Sequence, residues 1–142
     1  MTFHLEIITP EKVVYKNDID EVVVPTENGQ IAILPNHVGL LTQVIPGEII
    51  VKKGGGRQVL AVTGGFLEVK NNSVSILADY AVRAEDIEVL KAEEAQKRAK
   101  KLMEEKTSEH DFRIAQGELI KAITELKVAT RHKRHSRKPT EI

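Results

Sequence analysis

The sequence contains no cysteine and no tryptophan, and only three phenylalanines and two tyrosines among 142 residues. Without cysteine there is neither a disulfide framework nor a thiolate metal site. No sign of charge dominates, with 21 basic against 21 acidic side chains. No global field therefore draws the chain toward nucleic acid or an anionic membrane. It has no apolar run of the roughly 18 residues that a bilayer-spanning helix requires. The opening stretch, MTFHLEIITPEK, lacks the basic and apolar regions of a secretory signal. These absences lead us to expect an intracellular protein whose membrane association, if any, runs through a partner.

Catalytic signatures are missing as well. The sequence has no phosphate-binding G-x-x-x-x-G-K-[ST], no H-E-x-x-H and no G-x-S-x-G. Of the four serines, Ser73 and Ser75 flank Val74 on one strand face and Ser108 reads as a helix cap. A hydrolytic site would require a nucleophile, a base and an oxyanion hole within mutual reach. The glycine runs GGGR (54–57) and TGGF (63–66) lie between strand-like segments. A phosphate cradle would lead into a helix N-terminus, so these read as turns or bulges. His132 and His135 sit among cations, which disfavours a metal ion there. No metal site is expected. His37, in the corner LPNHVG, is open to two readings: a turn residue bonded to nearby backbone, or part of a functional surface.

What is present divides near residue 84. Residues 85–142 hold 14 of the 21 basic and 12 of the 21 acidic side chains, whereas residues 1–84 hold eight of the nine glycines and four of the five prolines. In the first part, FHLEI alternates apolar and polar residues with the period of a half-buried strand. IDEVVVP, QIAIL, EIIVKK, QVLAV, GFLEVK and SVSILA follow, rich in β-branched residues and separated by Gly, Asn and Pro turn signals. Strands at such regular spacing predict a β-sandwich or barrel over 1–84.

The second part predicts two helices. Ile87, Leu90, Ala95, Ala99 and Leu102 form a thin stripe on the first. TSEHD then breaks the run, with Ser108 as cap, and Phe112, Ala115, Leu119, Ala122, Ile123, Leu126 and Ala129 share a face of the second. The prediction is an antiparallel hairpin over 85–130, followed by a basic, mobile tail over 131–142. Alanine contributes few methylenes, each worth only about 0.8 kcal/mol when buried. Such a seam holds the pair closed by a few kcal/mol, within reach of a competing surface. From the residues alone, one reading of the hairpin is a small adaptor binding an acidic partner or nucleic acid. The basic tail carries no aromatic platform for bases, which places a protein acceptor ahead of nucleic acid.

Two long segments, GQIAILPNHVGLLT (29–42) and VTGGFLEVKNNSVSILADYAVR (62–83), carry a resemblance that extends over nearly the whole chain. They resemble the epsilon-subunit family of bacterial F-type ATP synthases, with its G-[DE]-[LI]-G-I-x-P-G-H-x-P-L-L-T and S-G-G-[FI]-[LV]-E-V-x-x-x-x-V-T-[VI]-L-A-D segments. The resemblance implies a sandwich of two five-stranded sheets followed by a two-helix hairpin. It implies a non-catalytic central-stalk part, peripheral on the cytoplasmic face of the cell membrane, that couples ion flow to ATP synthesis. The partners implied are the gamma subunit, the membrane c-ring and the catalytic alpha and beta subunits, with no nucleic acid. On this resemblance His37 belongs to a docking surface with Glu27, Gln30, Pro35, Leu40 and Leu41. Asn36 replaces the family glycine, Val38-Gly39 replaces x-Pro, and Gln30 stands where relatives place a carboxylate.

The resemblance further implies that the hairpin restrains ATP hydrolysis by electrostatic contact with the beta subunit. That role would fall to Lys127, Arg131, Lys133, Arg134, Arg137 and Lys138. Some relatives bind ATP in the folded hairpin, and the matching positions here are Glu88, Lys91, Arg98 and Lys121. Lysine cannot reproduce a bidentate arginine contact, and Glu125 stands where another arginine would be. We therefore expect no cofactor, with ATP binding weak or absent.

Overall fold

The computed structural model describes residues 1–105 and 108–136. They divide into two compact units, Met1–Arg83 and the chain from Ala84 onward. The first holds ten strands: β1 (Phe3–Ile8), β2 (Val13–Ile19), β3 (Glu21–Thr26), β4 (Gly29–Ile33), β5 (Leu40–Val44), β6 (Gly47–Lys53), β7 (Gly56–Val62), β8 (Gly65–Lys70), β9 (Ser73–Ala78) and β10 (Ala81–Arg83).

Pairing sorts these strands into two five-stranded sheets, β4-β3-β6-β7-β10 and β5-β8-β9-β1-β2. The sheets are joined at one residue pair, Thr26 opposite Val44. Two backbone bonds brace that seam: Glu27 N–H donates to Gln43 O (3.2 Å) and Ile45 N–H to Pro25 O (3.0 Å). Val22, Ile33 and Leu60 of the first sheet share one buried core with Leu5, Leu67 and Ile76 of the second. This is the sandwich solution to burying one face of each sheet. The alternation of FHLEII appears directly, since Phe3, Leu5 and Ile7 are buried and the residues between them are not.

Turn chemistry follows the residues. Asn71 and Asn72, with φ of 50° and 61°, link β8 to β9 and supply the two left-handed positions of a type I′ hairpin. Gly65 has φ of 140° and lies so close to the Leu77 carbonyl that a Cβ there would collide with backbone. The TGGF run is thus a tight approach between strands.

In the second unit a single 3-10 turn, Ala84–Asp86, precedes α1 (Val89–Glu104) and α2 (Glu109–Ser136). Ser108 caps α2 as expected: its hydroxyl accepts from Asp111 N–H (3.1 Å) and its carbonyl from Phe112 N–H (2.9 Å). Three features differ from the sequence-based expectation. Ile87 precedes α1, and Leu90 is 75% exposed, while the buried residues of that helix are Ala92 and Ala99, two turns apart. On α2, Ala115 and Ala122 are buried, but so are Thr124 and Val128. Thr124 lies nine residues past Ala115, about 180° around the helix, so α2 buries two sides where one stripe was expected. Burial of Thr124 is permitted because its hydroxyl donates to Ile120 O (2.7 Å). Finally, α2 continues through Ser136, so residues 131–136 of the expected tail are helical. Lys133, Arg134 and His135 lie in the last turn, where cations complement the negative end of the helix dipole.

Candidate docking surface

The corner expected to dock lies between β4 and β5. Asn36 adopts φ of 63°, the left-handed conformation in which asparagine substitutes best for glycine. His37 N–H donates to Leu34 O (3.2 Å), closing the turn, and its ring Nδ1 lies 2.7 Å from Val38 O. A carbonyl only accepts, so Nδ1 carries the proton in this bond. The ring thus makes the local backbone bond that the first reading of His37 called for.

Of the other expected docking residues, Glu27 and Gln30 are exposed on the β3–β4 hairpin, and Pro35 is half-buried. Strand alternation separates Leu40 from Leu41. Leu40 packs on the core, whereas Leu41 is 71% exposed. Leu40 thus supports the corner from behind, and Leu41 faces outward.

Sequence reasoning did not single out an exposed apolar row on the second sheet. Register pairs Phe66 with Leu77, Leu77 with Ile8, and Ile8 with Val13. These four outward side chains form one row across β8, β9, β1 and β2, about 15 Å long at normal strand spacing. Phe66, Leu77 and Val13 are each more than half exposed. The local signal was present: in GFLEVK and SVSILA, Phe66 and Leu77 occupy the phase otherwise filled by glutamate, lysine and serine. Leu41 lies diagonal to Phe66, because Gln43 pairs with Phe66 and Leu41 with Glu68. The diagonal links the apolar row to the strand that leaves the corner.

The second unit carries the other candidates. Lys127, Arg131 and Arg134, with Leu126 and Thr130, line one shallow groove along α2. Lys133 lies about 120° from Lys127 around the helix and outside that row. Arg137 and Lys138 lie outside the described residues. Two of the candidate nucleotide positions, Lys91 and Lys121, already lie near carboxylates. Lys91 Nζ contacts Glu88 (2.8 Å), whose hydrogen bond and charge hold the ammonium above its ordinary range. Burial pushes the Glu125 carboxyl up, partly offset by the charge of Lys121. Arg98 is exposed on α1. Among the described residues no cluster of His, Asp and Glu is arranged to hold a metal ion, and no helix is long and apolar enough to cross a membrane.

The family model for the ATP synthase, Delta/Epsilon chain, beta-sandwich domain matches residues 2–84, and that for the long alpha-helix domain of the same chain matches residues 85–130. The ATP synthase epsilon chain of Chloroflexus aggregans is 43% identical over 133 residues, covering 94% of this chain and 96% of the relative. That of Desulforamulus reducens is 44% identical over 128 residues, covering 90% and 97%. Among solved structures, a chain in the cryo-EM structure of the Euglena gracilis mitochondrial ATP synthase, OSCP/F1/c-ring, superposes with a TM-score of 0.72 at 25% identity, covering 92% of this chain and 82% of that one.

Proposed function

The chain belongs to the ATP synthase delta/epsilon family, and on that premise we propose that it grips the rotor with its sandwich and restrains reverse running with its helices. It is an epsilon chain of the F-type enzyme, a non-catalytic stalk subunit. Its work is coupling: the sandwich joins the gamma shaft to the membrane c-ring, so that ion-driven rotation reaches the catalytic alpha and beta subunits. The subunit is held at the cytoplasmic face of the membrane through those partners.

The observation that carries this reading is the exposed row Val13–Ile8–Leu77–Phe66. An apolar surface of that kind, continuous with the corner through Leu41, favours a protein partner of shaped apolar surface over a charged polymer. The shaft packs on the row, while Leu34, His37 and Val38 of the corner engage the rotor beside it. The test is titration of the full chain against its cognate gamma subunit at low and high salt. Binding persists at both, because apolar contact is not screened. Phe66→Asp weakens it at least about tenfold, the scale of a central interface anchor. Unchanged binding by Phe66→Asp, or binding that vanishes with salt, overturns the proposal.

For the helical unit the proposed role is inhibition of ATP hydrolysis. The row Lys127, Arg131 and Arg134 meets an acidic surface on the beta subunit when the hairpin opens. ATP is not its regulator here. Supporting that reading, Lys91 lies against Glu88, and the half-buried Glu125 follows Lys121 by one helical turn. Calorimetric titration of the chain with ATP gives no micromolar binding, and a micromolar dissociation constant overturns this point.

A further inference from the structure

We propose that Asn72, in the β8–β9 turn, is the positioning residue that holds the docking corner in its binding conformation. The inference rests on the docking role proposed above. The turn itself asks only for a left-handed backbone at residue 72, which glycine supplies as well. Yet every polar group of the Asn72 side chain is engaged elsewhere. Its Oδ1 accepts from Asn36 N–H at 2.8 Å, across 36 residues of sequence. Its Nδ2 donates to the Thr2 carbonyl at 3.0 Å, and its own carbonyl accepts from His4 N–H at 3.2 Å. One exposed side chain therefore ties the corner to the start of β1.

The tie falls at the position that needs it most. Asn36 is in the left-handed region, a conformation unfavourable to a side-chain-bearing residue unless its surroundings compensate. The next residue is His37, whose ring orientation depends on that backbone because Nδ1 is bonded to Val38 O. In this sequence the corner also lacks a rigidifying proline after His37, carrying Val38-Gly39 instead. The bond from Asn72 preorganises it: a corner already in its bound shape loses less freedom on docking.

Two variants of the full chain separate this role from general support. Asn72→Gly keeps the turn geometry and removes both side-chain bonds. Asn72→Asp keeps an acceptor for Asn36 N–H and removes the donation to Thr2. Amide exchange at Asn36 and His37 in the chain alone, and affinity for the cognate gamma subunit, are measured for each. In Asn72→Gly, exchange at the corner speeds up and affinity falls about fivefold, the effect of one hydrogen bond, while the melting temperature falls by only several degrees and the protection pattern within β5, β8 and β9 is retained. Asn72→Asp restores both readouts to within about twofold of the wild type, since the acceptor is kept. Unchanged corner exchange in Asn72→Gly, or equal loss in both variants, overturns the proposal. So does faster exchange with unchanged affinity. In that case His37→Ala tells the two failures apart: if it weakens binding, only the role of Asn72 is wrong, and if it does not, the corner is not a docking element.

Discussion

The two units solve the problem of burial differently. The largest fully buried side chains, among them Leu5, Ile7, Ile49, Leu60, Leu67 and Ile76, all belong to the strand-built unit. The helical unit buries Ala92, Ala99, Ala115 and Ala122, with Thr124 and Val128 on the other side of α2. A branched side chain removes several methylenes from water and an alanine only one, so the free energy of closing each unit differs severalfold per residue. The strand unit has the densely packed core that the proposed rigid platform requires. The helical pair has the thin, alanine-lined seam that the proposed opening requires.

The contrast can be broken most directly by removing one side of it. Truncation after residue 86 leaves β1–β10 complete. The truncated chain retains gamma binding, and ATP hydrolysis by the assembled complex rises severalfold. Inhibition by the intact chain also weakens with added salt, because exposed charges are screened over about 8 Å at physiological ionic strength and about 3 Å at 1 M. Equal ATPase rates with and without the helices would place regulation elsewhere.

Single substitutions sharpen the comparison. Leu67 is fully buried, and Leu67→Ala costs about 2–5 kcal/mol in chemical denaturation, through lost transfer energy and the cavity left behind. Ala99 is equally buried, yet Ala99→Gly costs only about 1 kcal/mol, and the loss is confined to the helical signals. A comparable loss at both sites, or unfolding of both units in response to Ala99→Gly, would contradict the proposed division between a rigid platform and a loose latch.

The smallest effect is one of pH. Burial holds the Glu125 carboxyl above its ordinary value of 4.5 in the folded hairpin. Above the folded pKa the carboxylate is ionised in both states, and folding bears the full cost of burying its charge. As pH falls through the folded pKa toward the unfolded one, the proton is retained more strongly by the folded state and the cost disappears. Glu125→Gln therefore stabilises the helical unit at pH 7.5, and the difference from the wild type closes by about pH 4, below the ordinary glutamate value. Thermal melts of the two proteins at both pH values check this. A gap that widens on acidification would reverse the sign and exclude burial as the cause.

Much of this molecule is legible in short stretches of chain. Alternation marks Phe3, Leu5 and Ile7 as inward, whereas the separation of Leu40 from Leu41, expected together on the docking surface, came only with β5. Ser108 announces the start of α2. The corner was readable as a distinctive segment, and its histidine as a residue of interest. The helical seam was less readable: alanine is compatible with any face, so sequence periodicity favoured Leu90 over Ala92. The second buried side of α2 was hidden because Thr124 is polar, and its burial depends on a bond to its own helix.

Fold class, the division near residue 84, the turn positions and the charge segregation were determined by the sequence itself. Each follows from local conformational preference and from a pattern that repeats within a few residues. The tertiary structure alone decided which strands became neighbours. Parallel pairing of β1 with β9 sets Ile8 beside Leu77 and completes the apolar row. The same packing brings Asn72 to Asn36. Such pairings join residues distant along the chain. They are selected by the joint burial of two whole sheets, a global condition that no local pattern encodes.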